Sequence, residues 1–165
     1  YKKGTDFSIY MDTDGLIHAG SGLDQVTWMD VRVGDWVATP RHGKPVEINA
    51  LWYNALCTMD MLQAKFGDND DSYRQLASLV KTSFNKRFWN ENTGCLYDVV
   101  DEDDDTIRPN QIYAVSLPFT MLDREREKAI VDTVMDKLYV GCGLRSLDPD
   151  PVSYTHLTLP TRDLV

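Results

Sequence analysis

Residues 39 to 66 read Thr39-Pro40-Arg41-His42-Gly43-Lys44-Pro45-Val46-Glu47-Ile48-Asn49-Ala50-Leu51-Trp52-Tyr53-Asn54-Ala55-Leu56, then Cys57-Thr58-Met59-Asp60-Met61-Leu62-Gln63-Ala64-Lys65-Phe66. Two prolines punctuate the first part. After Pro45, the residues Ile48, Leu51, Trp52, Ala55, Leu56, Met59 and Leu62 recur at steps of three and four, which predicts a helix from Val46 to Phe66 with Gly67 as its C-terminal stop. The apolar stripe is wide, as suits a helix buried on more than one side. Glu47 and Asn54 share one face near the helix start. Glu47 fits a pocket-facing carboxylate and equally a first-turn acid favoured by the helix dipole.

Upstream, Gly20 to Thr39 has no sustained helical or strand period, and it carries Asp24, Asp30, Asp35, Trp28 and Trp36. Side chains on such a loop are free to converge on a pocket. Indole faces, with Arg41 and Lys44 as cationic donors, suit a ligand that is apolar on its ring faces and hydroxylated round its edge, as a sugar is. The same residues also suit a loop pinned to the core by its tryptophans, with aspartates closing turns. Composition leaves both readings standing.

Toward the N-terminus, the run from Phe7 to His18 reads as a short hairpin turned at Asp14-Gly15. Asp12 and Asp14 read as turn residues; the later ligands of a calcium loop are missing. His18 reads as a surface or satisfied strand residue. Downstream, an acidic start over residues 68–71 precedes a stripe of Tyr73, Leu76, Ala77, Val80, Phe84 and Phe88 ending at Lys86 and Arg87, the pattern of a structural helix. Trp89 to Val100 holds turn chemistry at Asn92-Thr93-Gly94, and Asp101 to Asp105 reads as a solvated acidic loop. Arg108-Pro109-Asn110-Gln111 opens a third helix that Pro118 ends or bends, and Asp123 caps a fourth from Arg124 to Tyr139, facing Ile130, Val134 and Leu138 inward. Helices joined by loops, without a repeated βαβ pattern, predict an all-α fold with short β-hairpin excursions.

The 165 residues amount to one domain or part of one. A formal net charge of −9 disfavours a nucleic-acid partner, which would need clustered cations. No apolar run approaches the length of a membrane span and no leader is visible, so the expectation is a soluble protein without a membrane partner. Cys57, Cys95 and Cys142 are odd in number and widely spaced, which argues against a disulfide framework or a zinc site and suits the cytoplasm. Neither a metal nor a cofactor is expected.

Thr27-Trp28-Met29-Asp30 followed by Thr39 to Asn54, with Arg108-Pro109-Asn110-Gln111 and Gly143-Leu144-Arg145-Ser146-Leu147 downstream, resembles the catalytic-domain signature of glycogen debranching enzymes in their amylo-α-1,6-glucosidase part. The resemblance implies part of an (α/α)6 toroid over residues 1–150. Residues 151–165 match nothing in it and are expected to be a truncation or assembly artefact or a disordered end.

The implied activity is inverting hydrolysis of α-1,6-glucosyl branches in glycogen, limit dextrin or a maltooligosaccharide, using two carboxyl groups. Asp30 takes the family position of the general acid. Its pKa would be raised by burial beside indole and near other carboxylates. Asp24 is the rival, because Ser21-Gly22-Leu23-Asp24 resembles the acid motif of trehalase-like toroid enzymes. Trp28 would stack on the sugar, and Arg41, Glu47, Arg108, Asn110 and Gln111 would bond its hydroxyls. The base would lie beyond Val165, so this chain alone is expected to be inactive and to fold without full cooperativity. Alternatives are a glucoamylase- or trehalase-type enzyme, an inactive glycan-binding module and a protein-contacting helical scaffold.

Overall fold

The computed structural model describes residues 1–67 and 70–149. Asp68, Asn69 and the segment from residue 150 onward, including the 151–165 tail, lie outside the described residues.

Helix α1 spans Val46–Phe66, as its three-four period predicts. Pro45 sits at its N-cap in an extended conformation, so the ring occupies a position that needs no intrahelical donor. Val46 N–H, the first orphan donor, is taken by Asp98 O at 3.0 Å. Helix α2, Ser72–Arg87, buries Ala77, Val80 and Phe84 against α1, and Phe84 stacks on Phe88 with ring centroids 4.4 Å apart. Helix α4, Arg124–Leu138, buries Ile130, Val134 and Leu138, and Asp123 Oδ1 accepts from Arg126 N–H at 2.9 Å as its cap.

The third helix is shorter than its sequence predicts. A 3₁₀ turn over Pro109–Ile112 passes into a single α turn, α3, at Tyr113–Ser116. Pro118 forces Leu117 out of the helical region, to φ −76° and ψ 156°, and that ends it.

The all-α description holds in part. Among the described residues the helices are accompanied by eight two-residue strands in four antiparallel pairs. Strands β1 (Tyr10–Met11) and β2 (Ile17–His18) form the expected hairpin, with Gly15 at φ +82° in its turn. Strands β3 (Arg32–Val33) and β4 (Trp36–Val37) make a second hairpin within the upstream loop, and β6 (Trp89–Asn90) and β7 (Cys95–Leu96) a third. The remaining pair is long-range: β5 (Lys44–Pro45) lies against β8 (Val99–Val100). That pairing brings the start of α1 beside Asp98. Gly43 permits it, since it sits at φ +104° and an added Cβ would lie 2.8 Å from Val100 O. Asn49 docks the first hairpin on α1, accepting from Ile17 N–H at 2.7 Å and donating to Ile17 O and Pro45 O. The core gathers Leu16 from the first hairpin's turn, Val46 from α1, Phe84 and Phe88 from α2 and its end, Leu96 from β7 and Ile130 from α4.

Candidate functional site

Where the upstream loop, the start of α1 and the 3₁₀ turn meet, a cleft of about 490 Å³ opens, lined by Trp28, Glu47, Asn110 and Tyr113 with Ile48 and Leu51 between them. A second recess of about 310 Å³ shares Val26, Ile48 and Leu51 with it and is lined also by Ile17 and Trp52. Trp28 is 58% exposed at the lip of the cleft. Its indole N–H donates to Asn110 Oδ1 at 2.9 Å, which fixes the ring plane while leaving its apolar surface open.

Behind this wall lies a network of buried charges. Arg41 grips Glu47 with two nitrogens, Nη1 at 2.5 Å and Nη2 at 2.7 Å, and donates from Nε to Asp98 Oδ2 at 2.7 Å. Asn110 Nδ2 donates to the other oxygen, Asp98 Oδ1, at 2.8 Å. Arg108 Nε stands 3.5 Å from Asp98 Oδ2 and donates to Thr106 Oγ1 at 3.1 Å, while its Nη1 reaches Ser146 O at 3.4 Å. Met29 Sδ faces Asn110 at 3.7 Å and closes the network from the loop side. Two guanidinium groups against two carboxylates balance in charge, which is the condition for keeping them out of water. Burial opposes the Arg41 charge, but Glu47 and Asp98 outweigh burial and hold its pKa above the ordinary value. For Asp98, burial pushes the carboxyl up and Arg41 and Asn110 only partly offset the rise.

Trp28, Glu47 and Asn110 therefore reach the cleft, and Arg41 and Arg108 stand behind them. Gln111 is committed to main chain, accepting from Leu96 N–H at 3.2 Å and donating to Arg108 O at 3.3 Å. Asp30 is exposed and does not line the cleft. The burial beside indole expected of it is thus not provided by the described residues. Asp24 closes its own turn, its Oδ2 accepting from Ser21 N–H at 3.1 Å and lying 3.2 Å from Ser21 Oγ.

Two residues depart from their sequence reading. Lys44, grouped with Arg41 as a ligand donor, is 2% exposed and gives its ammonium to Asp12 at 2.8 Å and Asp14 at 2.9 Å, with Asp101 at 3.7 Å. Asn54, placed on one face with Glu47, does not line the cleft and pins Phe119 instead, donating to its carbonyl at 2.8 Å and accepting from its N–H at 3.0 Å. Asp98 was missed. Its one signal is that it interrupts the apolar run from Cys95 to Val100 with a single carboxylate, a place where a strand gains nothing from one. Tyr113, also missed, carries no signal beyond lying three residues after Asn110, one helical turn away.

An exposed indole beside a fixed carboxylate and a fixed amide has the chemistry to hold a neutral polyhydroxyl ligand. The family model for amylo-alpha-1,6-glucosidase matches residues 1–158, and the chain belongs to that glycoside hydrolase family. The glycogen debranching enzyme of Saccharomyces cerevisiae (strain ATCC 204508 / S288c) is 28% identical over 195 residues, an alignment covering 92% of this chain and 12% of that protein. The chain thus spans about one-eighth of the length of the curated relative it matches. No helix among the described residues is long and apolar enough to cross a membrane.

Proposed function

We propose that this chain is part of a glycoside hydrolase that removes α-1,6-linked glucosyl branches from glycogen or limit dextrin with inversion, within an (α/α)6 toroid to which α1, α2 and α4 contribute. The observation that carries this reading is the cleft in which Trp28, Glu47 and Asn110 converge in a chain of the amylo-alpha-1,6-glucosidase family. Trp28 supplies a flat face for the sugar ring. Glu47 and Asn110 bond its hydroxyls, and Arg41, Arg108 and Gln111 hold those two groups and their turn in place.

In an inverting site, one carboxylic acid protonates the departing glycosidic oxygen and a carboxylate roughly 6.5–9.5 Å away activates water on the opposite ring face. Asp30 is assigned as the acid. A general acid has to be enclosed to do this near neutral pH, so the covering surface is assigned to parts of the enzyme outside the described residues, and the base, as the resemblance implies, to a segment beyond Val165. The chain by itself is therefore expected to release no glucose.

The exposure of Asp30 favours one second reading, a glycan-binding module without catalysis. In the full-length protein, Asp30→Asn is expected to lower glucose release from limit dextrin at least 100-fold, the scale of a general acid's contribution, with substrate binding retained. Asp24→Asn is the comparison, and a dead Asp24→Asn beside an active Asp30→Asn would overturn the assignment. A wild-type protein that binds maltooligosaccharides by calorimetry yet releases no glucose would establish the binding module.

A further inference from the structure

The polar wall of the cleft is oriented by a side chain that never reaches it. Asp98 is 2% exposed, and each of its oxygens has a separate obligation: Oδ2 accepts from Arg41 Nε at 2.7 Å, and Oδ1 accepts from Asn110 Nδ2 at 2.8 Å. A primary amide has one accepting and one donating end, and its neighbours decide which way it lies. Asn110 Oδ1 holds the indole N–H of Trp28, so its Nδ2 must find an acceptor on the other side. Asp98 is that acceptor. It also accepts from the guanidinium that clamps Glu47, and only a carboxylate can accept on both oxygens at once. An amide in its place would set donor against donor, either at Arg41 or at Asn110. The main chain of Asp98 adds to this, because its carbonyl caps Val46 N–H and so fixes the first turn of α1, from which Glu47 projects.

We propose that Asp98 is a positioning residue: it holds the Asn110 amide in the orientation that grips Trp28 and, through Arg41, holds the Glu47 carboxylate against the cleft. This rests on the sugar-cleft reading above. Three groups from three separate segments take their geometry from one buried carboxylate, so its loss affects affinity at the cleft as well as stability.

The test uses the full-length enzyme with limit dextrin as substrate and free glucose as product inhibitor. Asp98→Asn is expected to weaken inhibition by glucose about tenfold or more, with a matching fall in kcat/KM, the scale of one misdirected buried hydrogen bond. A second variant combines Asp98→Asn with Asn110→Asp, exchanging the two side chains. The carboxylate, now at position 110, accepts both from Trp28 and from the amide at position 98, whose oxygen accepts from Arg41, so every donor again has an acceptor. Glucose inhibition in this variant is expected to return to within about fivefold of wild type, as restored hydrogen bonding requires.

A folded Asp98→Asn enzyme inhibited by glucose as strongly as wild type overturns the proposal, as does an exchanged variant no better than the single one. If the single variant does not fold, the exchanged one decides by the same comparison with wild type. A wild-type enzyme indifferent to glucose sinks the sugar-cleft reading and this inference with it, a result distinct from failure of the variants alone.

Discussion

Two buried cations lie three residues apart in this chain, and they do different work. Lys44 is closed on itself: Asp12, Asp14 and Asp101 surround its ammonium, and Arg87 bonds Asp14 and Asp101 from the end of α2. That cluster ties the first hairpin, β5, α2 and the loop after β8 together, and none of its members lines the cleft. Arg41 is open on one side. Its partner Glu47 and, through Asp98, its neighbour Asn110 both present a face to the cleft. The same physical device, a cation held dry by carboxylates, thus serves as a knot in one place and as scaffolding for a site in the other. What separates them is whether any satisfied partner also lines the cleft.

The sharpest way to break this contrast is to remove each cation from the full-length enzyme. Arg41→Met leaves Glu47 buried without its cation and Asp98 with Arg108 alone, at 3.5 Å, which costs about 3–5 kcal/mol of stability. Because Glu47 then loses its clamp, glucose release should fall together with the melting temperature. Lys44→Met is expected to cost about 3 kcal/mol, the low end of that range, since its carboxylates are partly open to water and can rehydrate. Its kcat/KM, measured well below the melting temperature, should stay within about twofold of wild type, as for a site not coupled to the change. A Lys44→Met enzyme with impaired turnover but a normal melt would dissolve the distinction.

Next in size is Arg108→Ala. Arg108 lies behind the wall and bonds Thr106, Ser146 and, at longer range, Asp98, so its loss is expected to weaken substrate engagement by about 2 kcal/mol at most, the order of one charge-assisted hydrogen bond. Inhibition kinetics and a thermal melt measured together resolve it. Unchanged kinetics with a lowered melt would move Arg108 from the site to the knot's category.

The two clusters were not equally legible in the sequence. Helices α1, α2 and α4 follow from periodicity because each runs at least four turns, long enough for the apolar pattern to repeat, although the α1 stripe residues Leu51, Met59 and Leu62 are exposed rather than buried on more than one side. Strands of two residues have no period to read, and Lys44-Pro45 offers neither alternation nor a second donor, so the β5–β8 pairing that brings Asp98 to the start of α1 leaves no local trace. Arg41, Glu47, Arg108 and Asn110 stood out through a family resemblance, which assigned all four to the sugar's hydroxyls, whereas of the four only Glu47 and Asn110 line the cleft. Lys44 carried the opposite trap. A lysine beside Arg41 on a loop reads as a second ligand donor, and only the distant Asp12, Asp14 and Asp101 show that its charge is already spent.

Titration sharpens the comparison further, because the clusters carry opposite signs at the acid end. Hydrogen bonding from Lys44 holds Asp12 below its ordinary value of 3.8, and Lys44 and Arg87 do the same for Asp14 against the effect of burial. Their stabilisation is present above pH 3.8 and lost as pH falls through the lower folded values. Burial opposes the Lys44 charge but its carboxylates raise the pKa above 10.5, so that contribution is complete below pH 10.5 and lost as pH rises through the folded value. Asp98 runs the other way. Its raised pKa means the folded state binds more protons just above pH 3.8, so its share of stability declines as pH rises through that window. Melting temperatures of wild type against Lys44→Met should converge below pH 3.8 and above pH 10.5. Against Asp98→Asn, stability should move against wild type as pH rises above 3.8, because the buried carboxylate is the costlier form there even though it is the form that orients Asn110 and Arg41. A wild-type advantage over Asp98→Asn that grows across that range would reverse the sign assigned to this carboxyl.

The smallest effect belongs to Trp28→Phe, and it probes the open side of the Arg41 network without disturbing any charge. Phenylalanine keeps an aromatic face at the lip of the cleft but removes the indole N–H that Asn110 Oδ1 accepts at 2.9 Å. Trp28 is 58% exposed, so little core packing is lost, but Asn110 is 1% exposed and its carbonyl is left without that donor. The expected cost is about 1 kcal/mol in glucose affinity, the net value of one neutral hydrogen bond, with a fall in stability of about the same size. If the indole serves only to pin the loop, the melt drops and inhibition by glucose is unchanged. Asn110 then keeps its orientation through Asp98 alone, and the cleft's aromatic wall is dispensable to the sugar.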